Sequence, residues 1–207
     1  MKSYSVIGKF QNFKYSVLNF IKTNQVKLII IGVITLIAFV TGIFSAIKFS
    51  NGSITIVYSD FGIKEFANGT IGTTQMFFQR FFSYSVLLLI LTVCSVTVFL
   101  FPVGVIAIVY RGFLLGLNIT FIVIIYGISG VITAILIIFP LQLLMLVLMI
   151  LFFIMARNHC IVKGKYGTKN GINVFLLMLI FILLFTLINF VETILLIISS
   201  AKVILII

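Results

Sequence analysis

Residues 84–156 contain a single charged residue, Arg111, in a stretch made mostly of Leu, Ile, Val and Phe. A soluble domain of 207 residues could not bury so long an apolar stretch in its own core. At about 20 residues per span, the stretch has room for three transmembrane helices with short connections. The chain is 63% hydrophobic and 8% charged, so we interpret all of it as an integral membrane protein.

Further apolar segments on either side bring the predicted number of spans to five. Each is much longer than the roughly 10 residues of a barrel strand, so the expected class is all-α. The expected breaks between the three central spans lie at Pro102 with Arg111-Gly112, and at residues 127–130. The predicted helices cover residues 28–47, 83–105, 112–126, 131–156 and 172–199.

Residues 1–26 have an amphipathic pattern and predict a helix that lies in the cytoplasmic lipid interface. On a helical wheel, six apolar side chains share one arc with two lysines beside it. The arc holds Val6, Phe10, Phe13, Val17, Phe20 and Ile21, and the lysines are Lys9 and Lys14. An amphipathic lead-in to the first span would give the same pattern.

The distribution of basic residues predicts the orientation of the membrane domain, residues 27–207. With the N-terminus inside, residues 1–27 place five Lys or Arg in the cytoplasm, Arg111 one and the cytoplasmic loop 157–171 four. Four lie outside: Lys48, Lys64, Arg80 and Lys202. The positive-inside rule favours this arrangement, with the C-terminus and loop 48–83 outside. A net charge of +11 spread in this way predicts contact with anionic lipids rather than nucleic acid.

The long external loop contains the chain's only sizeable hydrophilic segment. We expect short helices at residues 59–67 and from Thr73 onward. The aromatic cluster that follows should lie at the rim of the bilayer. Its members are Phe77, Phe78, Phe81, Phe82 and Tyr84.

Three charged residues next to or within predicted spans are the main candidates for a structural or functional role. Arg111 is expected at the tight cytoplasmic turn between spans two and three, and an arginine buried in a conduction path is the alternative. Glu192 is the only acid in a predicted span, and by helical rise it lies at the outer level of Arg80. We therefore predict an Arg80–Glu192 pair, with a Glu192 that reaches outer water or a nearby hydroxyl as the alternative.

Catalytic chemistry has few residues to work with. The Gly127-Ile-Ser-Gly130 sequence matches a serine-protease pattern, but the only histidine, His159, is expected at the opposite membrane face. Cys94 and Cys160 have no partner at a disulfide or metal-site spacing. The sequence therefore predicts neither an enzyme nor a cofactor or metal site.

Small residues and prolines in the spans are expected to serve helix packing and helix ends. Gly112 and Gly116 form a small-x-x-x-small pair that permits close helix approach. Pro102 is expected at a helix end and Pro140 at a kink in helix four, although discontinuous transporter helices also use such prolines.

Three segments resemble the stage II sporulation protein M family: LFPVGVIAIVYRGFLLG, IFPLQLL and NFVETIL. They contain Pro102, Arg111, Gly112 and Gly116, then Pro140, then Phe190 and Glu192. The likeness extends over residues 28–205. It implies a five-span protein of the bacterial plasma membrane that anchors membrane-tethered peptidoglycan-degrading proteins during endospore engulfment.

The sequence thus leaves two functional hypotheses. The first is a non-enzymatic membrane scaffold that docks partner proteins and is also compatible with a homo-oligomer. The second is a small transport or permease subunit with a polar path along Asn118, Thr120, Thr133, Gln142 and Asn189. A packed bundle favours the scaffold, and a continuous polar cavity across the midplane favours transport.

Overall fold

The computed structural model describes residues 19–49, 72–97, 99–161 and 168–204, and in this part of the chain every regular element is a helix. Among these residues, five helices are long and apolar enough to cross a membrane, which confirms the all-α class and the predicted number of helices of spanning length. The helices are α1 (Gln25–Phe49), α2 (Thr73–Val96), α3 (Phe101–Thr133), α4 (Phe139–Ile161) and α5 (Thr168–Ile204). Most of the predicted interfacial helix and residues 50–71 of the predicted external loop lie outside the described residues.

The predicted boundary between spans two and three is wrong. Helix α2 includes the predicted short helix that starts at Thr73, and it ends at Val96 rather than residue 105. Helix α3 already begins at Phe101, with Pro102 in its first turn. Proline suits that position because its φ is helical and the N–H that it lacks would have no helical partner. Arg111 and Gly112 therefore lie inside α3 and form no turn.

The predicted turn between spans three and four is confirmed at Gly127. This glycine has φ 55° and ψ −130° and interrupts α3, and the two candidate spans Phe101–Ile124 and Gly130–Asn158 lie on either side of it. A positive φ costs glycine little because it has no Cβ. The chain thus reverses direction within one long helical segment.

Pro140 is accompanied by a π-helical turn over Ala134–Ile138. A proline inside an α-helix lacks its N–H and crowds the carbonyl four residues earlier, here that of Leu136. In the wider turn, the N–H of Phe139 donates to the carbonyl oxygen of Ala134, five residues earlier. The irregularity expected at Pro140 is therefore present as a π turn that ends directly before α4.

The core is apolar and aromatic in the half of the bundle where α3 begins and α4 ends. The rings of Phe101 and Phe153 stack with centroids 5.0 Å apart, and those of Phe152 and Phe181 are 5.1 Å apart. They pack with buried aliphatic side chains such as Leu88. The outward faces of the helices are also apolar, as suits a bundle surrounded by hydrocarbon.

Arg157 and Asn158, near the end of α4, connect three helices at one end of the bundle. Nη1 of Arg157 donates to the carbonyl oxygens of Ser95 and Thr97, each at 3.1 Å, where α2 ends and its carbonyls lack helical partners. Next to it, Asn158 donates to Oδ1 of Asn24, just before α1. The start of α1, the end of α2 and the end of α4 therefore share one end of the bundle.

Candidate functional site

A chain of buried polar side chains connects four of the five helices. Its members are Arg80 and Tyr84 on α2, Arg111 on α3, Gln142 on α4 and Glu192 on α5. Glu192 is fully buried and Arg111, the most accessible of the five, is only 9% exposed. We call this set the polar network.

One end of the polar network is the predicted ion pair. Nη1 of Arg80 lies 3.0 Å from Oε1 of Glu192, which confirms that the two residues pair. The contact is not aligned as a hydrogen bond, so its attraction is mainly electrostatic. The amide nitrogen of Gln142 donates to both carboxylate oxygens, at 3.0 and 2.8 Å, and holds the carboxylate from the α4 side.

The other end of the polar network is Arg111, which reaches the ion pair through Tyr84 and Gln142. Nη2 of Arg111 donates to the Tyr84 hydroxyl at 2.8 Å, and its guanidinium carbon lies 4.8 Å from the centre of that ring. The hydroxyl in turn donates to Oε1 of Gln142 at 2.8 Å. The stacked cation adds to the hydrogen bond, since an aromatic face attracts positive charge.

These donors and acceptors allow the hydrogen bonds of the polar network to be donated in only one order, from Arg111 toward Glu192. A guanidinium has no acceptor, so the Tyr84 oxygen must accept from Arg111 and its proton must go to Gln142. Gln142 then has to turn its oxygen toward Tyr84 and its NH₂ group toward Glu192. The polar network therefore links a buried cation on α3 to a buried anion on α5 through two neutral side chains.

The depth of Arg111 corrects the sequence-based expectation. It lies ten residues after Phe101, about 15 Å along α3, which is half the thickness of a bilayer core. Glu192, by contrast, lies closer to the end of its candidate span, five residues before Ile197. Arg111 is thus in mid-span rather than at a cytoplasmic turn. At this depth the Tyr84 side chain partners Arg111 through its hydroxyl and its ring. No sequence pattern near Arg111 points to Tyr84 as its partner.

The glycine pair of α3 serves close packing, as predicted. A Cβ at Gly112 would meet the Thr35 side chain at 2.5 Å, and one at Gly116 would collide with the carbonyl of Phe39. Gly42 on α1 makes the reciprocal approach to the carbonyl of Phe113. We call this α1–α3 contact the glycine seam.

The five residues of the predicted transport path are not gathered into one row. The Asn118 amide donates to the carbonyl of Leu114 and the Thr120 hydroxyl to that of Gly116, both within α3. Gln142 belongs to the polar network, whereas the Asn189 amide nitrogen donates to the carbonyl of Phe77 at 3.2 Å. The fifth residue, Thr133, is half-buried at the end of α3. Most of these groups therefore bind within their own helix or between neighbouring helices.

The sequence did not single out Tyr84 as part of a site. Its aromatic ring next to four phenylalanines suggested a bilayer rim, but its hydroxyl is buried with the rest of the side chain, which is 3% exposed. One signal was available, since Tyr84 and Arg80 are four residues apart and share a helix face.

Among the described residues, no three His, Cys, Asp or Glu side chains come together as a metal site would need.

No protein-family model, curated protein or solved structure matches this chain. The resemblance to stage II sporulation protein M therefore stays a prediction. The geometry of the polar network and the glycine seam is the basis for a functional proposal.

Proposed function

We propose that this chain is a non-enzymatic membrane scaffold that docks partner proteins at its two faces. The polar network supports this proposal, because its hydrogen bonds are made between helices rather than toward a path. A polar chain closed in this way fixes α2, α3, α4 and α5 relative to one another. A rigid bundle with an apolar outer surface is suited to holding partners in place.

The proposed orientation is inferred from the distribution of basic residues, and the proposed membrane and partners are inferred from the family resemblance. Residues 1–27 and loop 157–171 carry nine of the 14 basic residues. The Asn24–Asn158 hydrogen bond supports their gathering at one end of the bundle. We assign that end to the cytoplasm and to anionic lipids, with the N-terminus inside and the C-terminus outside. Membrane-anchored peptidoglycan-degrading proteins at a bacterial plasma membrane are the partner class that the resemblance implies.

Orientation can be tested with single cysteines labelled in intact cells. A cysteine introduced at Thr168, at the start of α5, should resist a membrane-impermeant thiol reagent, while one at Ser59 in the external loop should react. The same two variants labelled after permeabilisation provide the control for reactivity. Labelling of the Thr168 position in intact cells would reverse the proposed topology.

The scaffold role can be tested by site-specific photo-crosslinking in the native cell. A photoreactive residue at Ser59 should yield a crosslink to a membrane-anchored wall-degrading protein, and that protein should lose its normal location when the gene is deleted. The same probe at the outward-facing Ile37 of α1, which is 55% exposed, is the matched control. A wall-degrading protein that keeps its location in the deletion strain would argue against docking.

A small transport subunit remains the second candidate because of one observation. The polar network runs from near the outer end of α5 to Arg111 in mid-span, and buried ionisable residues in spans commonly mark ion or substrate paths. Solute uptake into proteoliposomes that Gln142→Leu abolishes without loss of folded protein would favour transport. Uptake unaffected by that change would leave the scaffold as the better account.

A further inference from the structure

A groove of about 270 Å³ opens between the first turn of α2 and the facing part of α5. It is open to the surroundings of the bundle along one side. Two threonines and four large apolar side chains line it: Thr74, Phe77, Phe190, Thr193, Ile194 and Ile197. None of these side chains belongs to the polar network or to the glycine seam, so the groove has a separate role to explain.

The two walls of the groove are held together where it lies deepest in the spans. The amide nitrogen of Asn189 on α5 donates to the carbonyl oxygen of Phe77 on α2 at 3.2 Å. The rings of Phe77 and Phe190 meet edge to face, with their centroids 6.3 Å apart. The Arg80–Glu192 ion pair joins the same two helices close by. The groove is therefore a fixed part of the contact between α2 and α5.

The chemistry of the lining suits a hydrocarbon chain with a polar group at one end. The hydroxyl of Thr193 donates to the carbonyl oxygen of Asn189 at 2.8 Å, within its own helix, so this donor is already used. Thr74 lies three residues before Phe77, where the apolar span of α2 begins. The floor of the groove is therefore apolar, and a hydroxyl lies at the mouth on the α2 side.

The candidate spans place the groove across the edge of the hydrocarbon layer. The span of α2 begins at Phe77 and that of α5 ends at Ile197. From Phe190 to Ile197, α5 rises about 10 Å, which is about a third of the hydrocarbon core. A molecule in the groove therefore extends from the hydrocarbon to the lipid interface. These are the two environments that the acyl chain and the glycerol of a phospholipid occupy.

The size of the groove decides among apolar occupants. A helix with its side chains is about 10–12 Å across, so a helix of a partner or of a second copy would reach into the groove only with single side chains. Typical small-molecule pockets measure about 300–1,000 Å³, and this groove is smaller. We propose that it binds one acyl chain of a phospholipid and holds this lipid more tightly than the lipids around the rest of the bundle. This inference does not depend on the scaffold proposal.

Lipid binding in the groove can be tested by fluorescence quenching, because the chain contains no tryptophan. Phe190→Trp places a reporter in the groove. Leu176→Trp is the matched control on the same helix, about 21 Å away, and the two native side chains are similarly exposed, at 54% and 56%. The full chain in detergent is titrated with a phospholipid that has brominated acyl chains. We expect Phe190→Trp to lose its fluorescence at a several-fold lower lipid content than Leu176→Trp.

A second substitution links the expected difference to the groove. Ile194→Phe adds volume to the lining, so in the Phe190→Trp background it should bring quenching back to the level of Leu176→Trp while circular dichroism shows an intact fold. If Phe190→Trp does not fold, Ile197→Trp provides a reporter at the other end of the groove. Equal quenching of the groove reporter and the control would overturn the proposal, because both would then meet only bulk lipid. A groove reporter that brominated lipid never quenches would also overturn it, since protein would then fill the groove.

Discussion

The glycine seam and the polar network hold helices together by opposite means. In the seam, α1 and α3 approach so closely that a Cβ on Gly116 would collide with the backbone of Phe39. In the polar network, side chains up to 112 positions apart in the sequence, such as Arg80 and Glu192, meet through charge and hydrogen bonds. Close packing needs only small residues on one helix face, whereas a buried charge needs a partner at the same depth. Small residues on one helix face lie close together in the sequence, whereas the partner of a buried charge can lie far away in the sequence.

The largest expected loss follows removal of the carboxylate from the polar network. Glu192→Leu leaves two buried arginines and no acid there, and breaking a buried ion pair in this way costs about 3–5 kcal/mol. We expect this loss in the free energy of unfolding, measured in mixed micelles with increasing SDS. Leu187→Ala, on the outward face of the same helix, is the control and should cost much less.

Charge reversal sharpens the same prediction. Glu192→Arg should lower the amount of folded protein in the membrane, and addition of Arg80→Glu should restore part of it. Equal losses in the single and double variants would show that the ion pair does not contribute to folding.

The next largest effect is expected in the glycine seam. Gly116→Leu places side-chain atoms against the carbonyl of Phe39, which is backbone and cannot rotate away, so we expect a loss of about 1–3 kcal/mol. Gly32→Leu on α1 is the matched control, because a Cβ there meets no atom within 4 Å. Similar losses at both positions would mean that close approach at the seam is unimportant.

A smaller effect is expected from Tyr84→Phe. This change keeps the ring under Arg111 but removes the hydroxyl that bonds both Arg111 and Gln142, at a cost of about 1–2 kcal/mol. Tyr110→Phe, at a position 58% exposed on α3, is the control and should be nearly neutral. The test compares the free energies of unfolding of the two variants, measured under one condition. If Tyr84→Phe costs no more than Tyr110→Phe, the Tyr84 hydroxyl does not stabilise the fold.

The sequence predicts the close-packing role of Gly112 and Gly116, although not their partner helix α1, and it predicts the ion pair, because simple geometry suffices for each. The spacing of Gly112 and Gly116 puts both on one helix face. Counting helical rise from the two ends of the bundle puts Arg80 and Glu192 at one level. Neither step needs knowledge of how the helices are arranged around the bundle axis.

The position of Arg111 could not be predicted in the same way. A charge followed by glycine is typical of a turn, and Pro102 is equally compatible with the end of one helix and the start of the next. Whether Arg111 lies in a turn or inside a helix depends on Tyr84 and Gln142. These two residues come from two other helices and join Arg111 in one network only in the folded bundle. The spacing of Arg80 and Tyr84 puts both on one face of α2, but nothing in the sequence connects Tyr84 with Arg111.

The most direct test of the account is a double-mutant cycle on Arg111→Met and Glu192→Gln, measured as free energy of unfolding in the wild-type background and again with Gln142→Leu. If the polar network acts as one unit, the two changes should be non-additive by more than about 0.5 kcal/mol in the wild-type background. This coupling should disappear with Gln142→Leu, because Gln142 connects the Tyr84 hydroxyl to the carboxylate. Additivity within about 0.3 kcal/mol in the wild-type background would contradict the account.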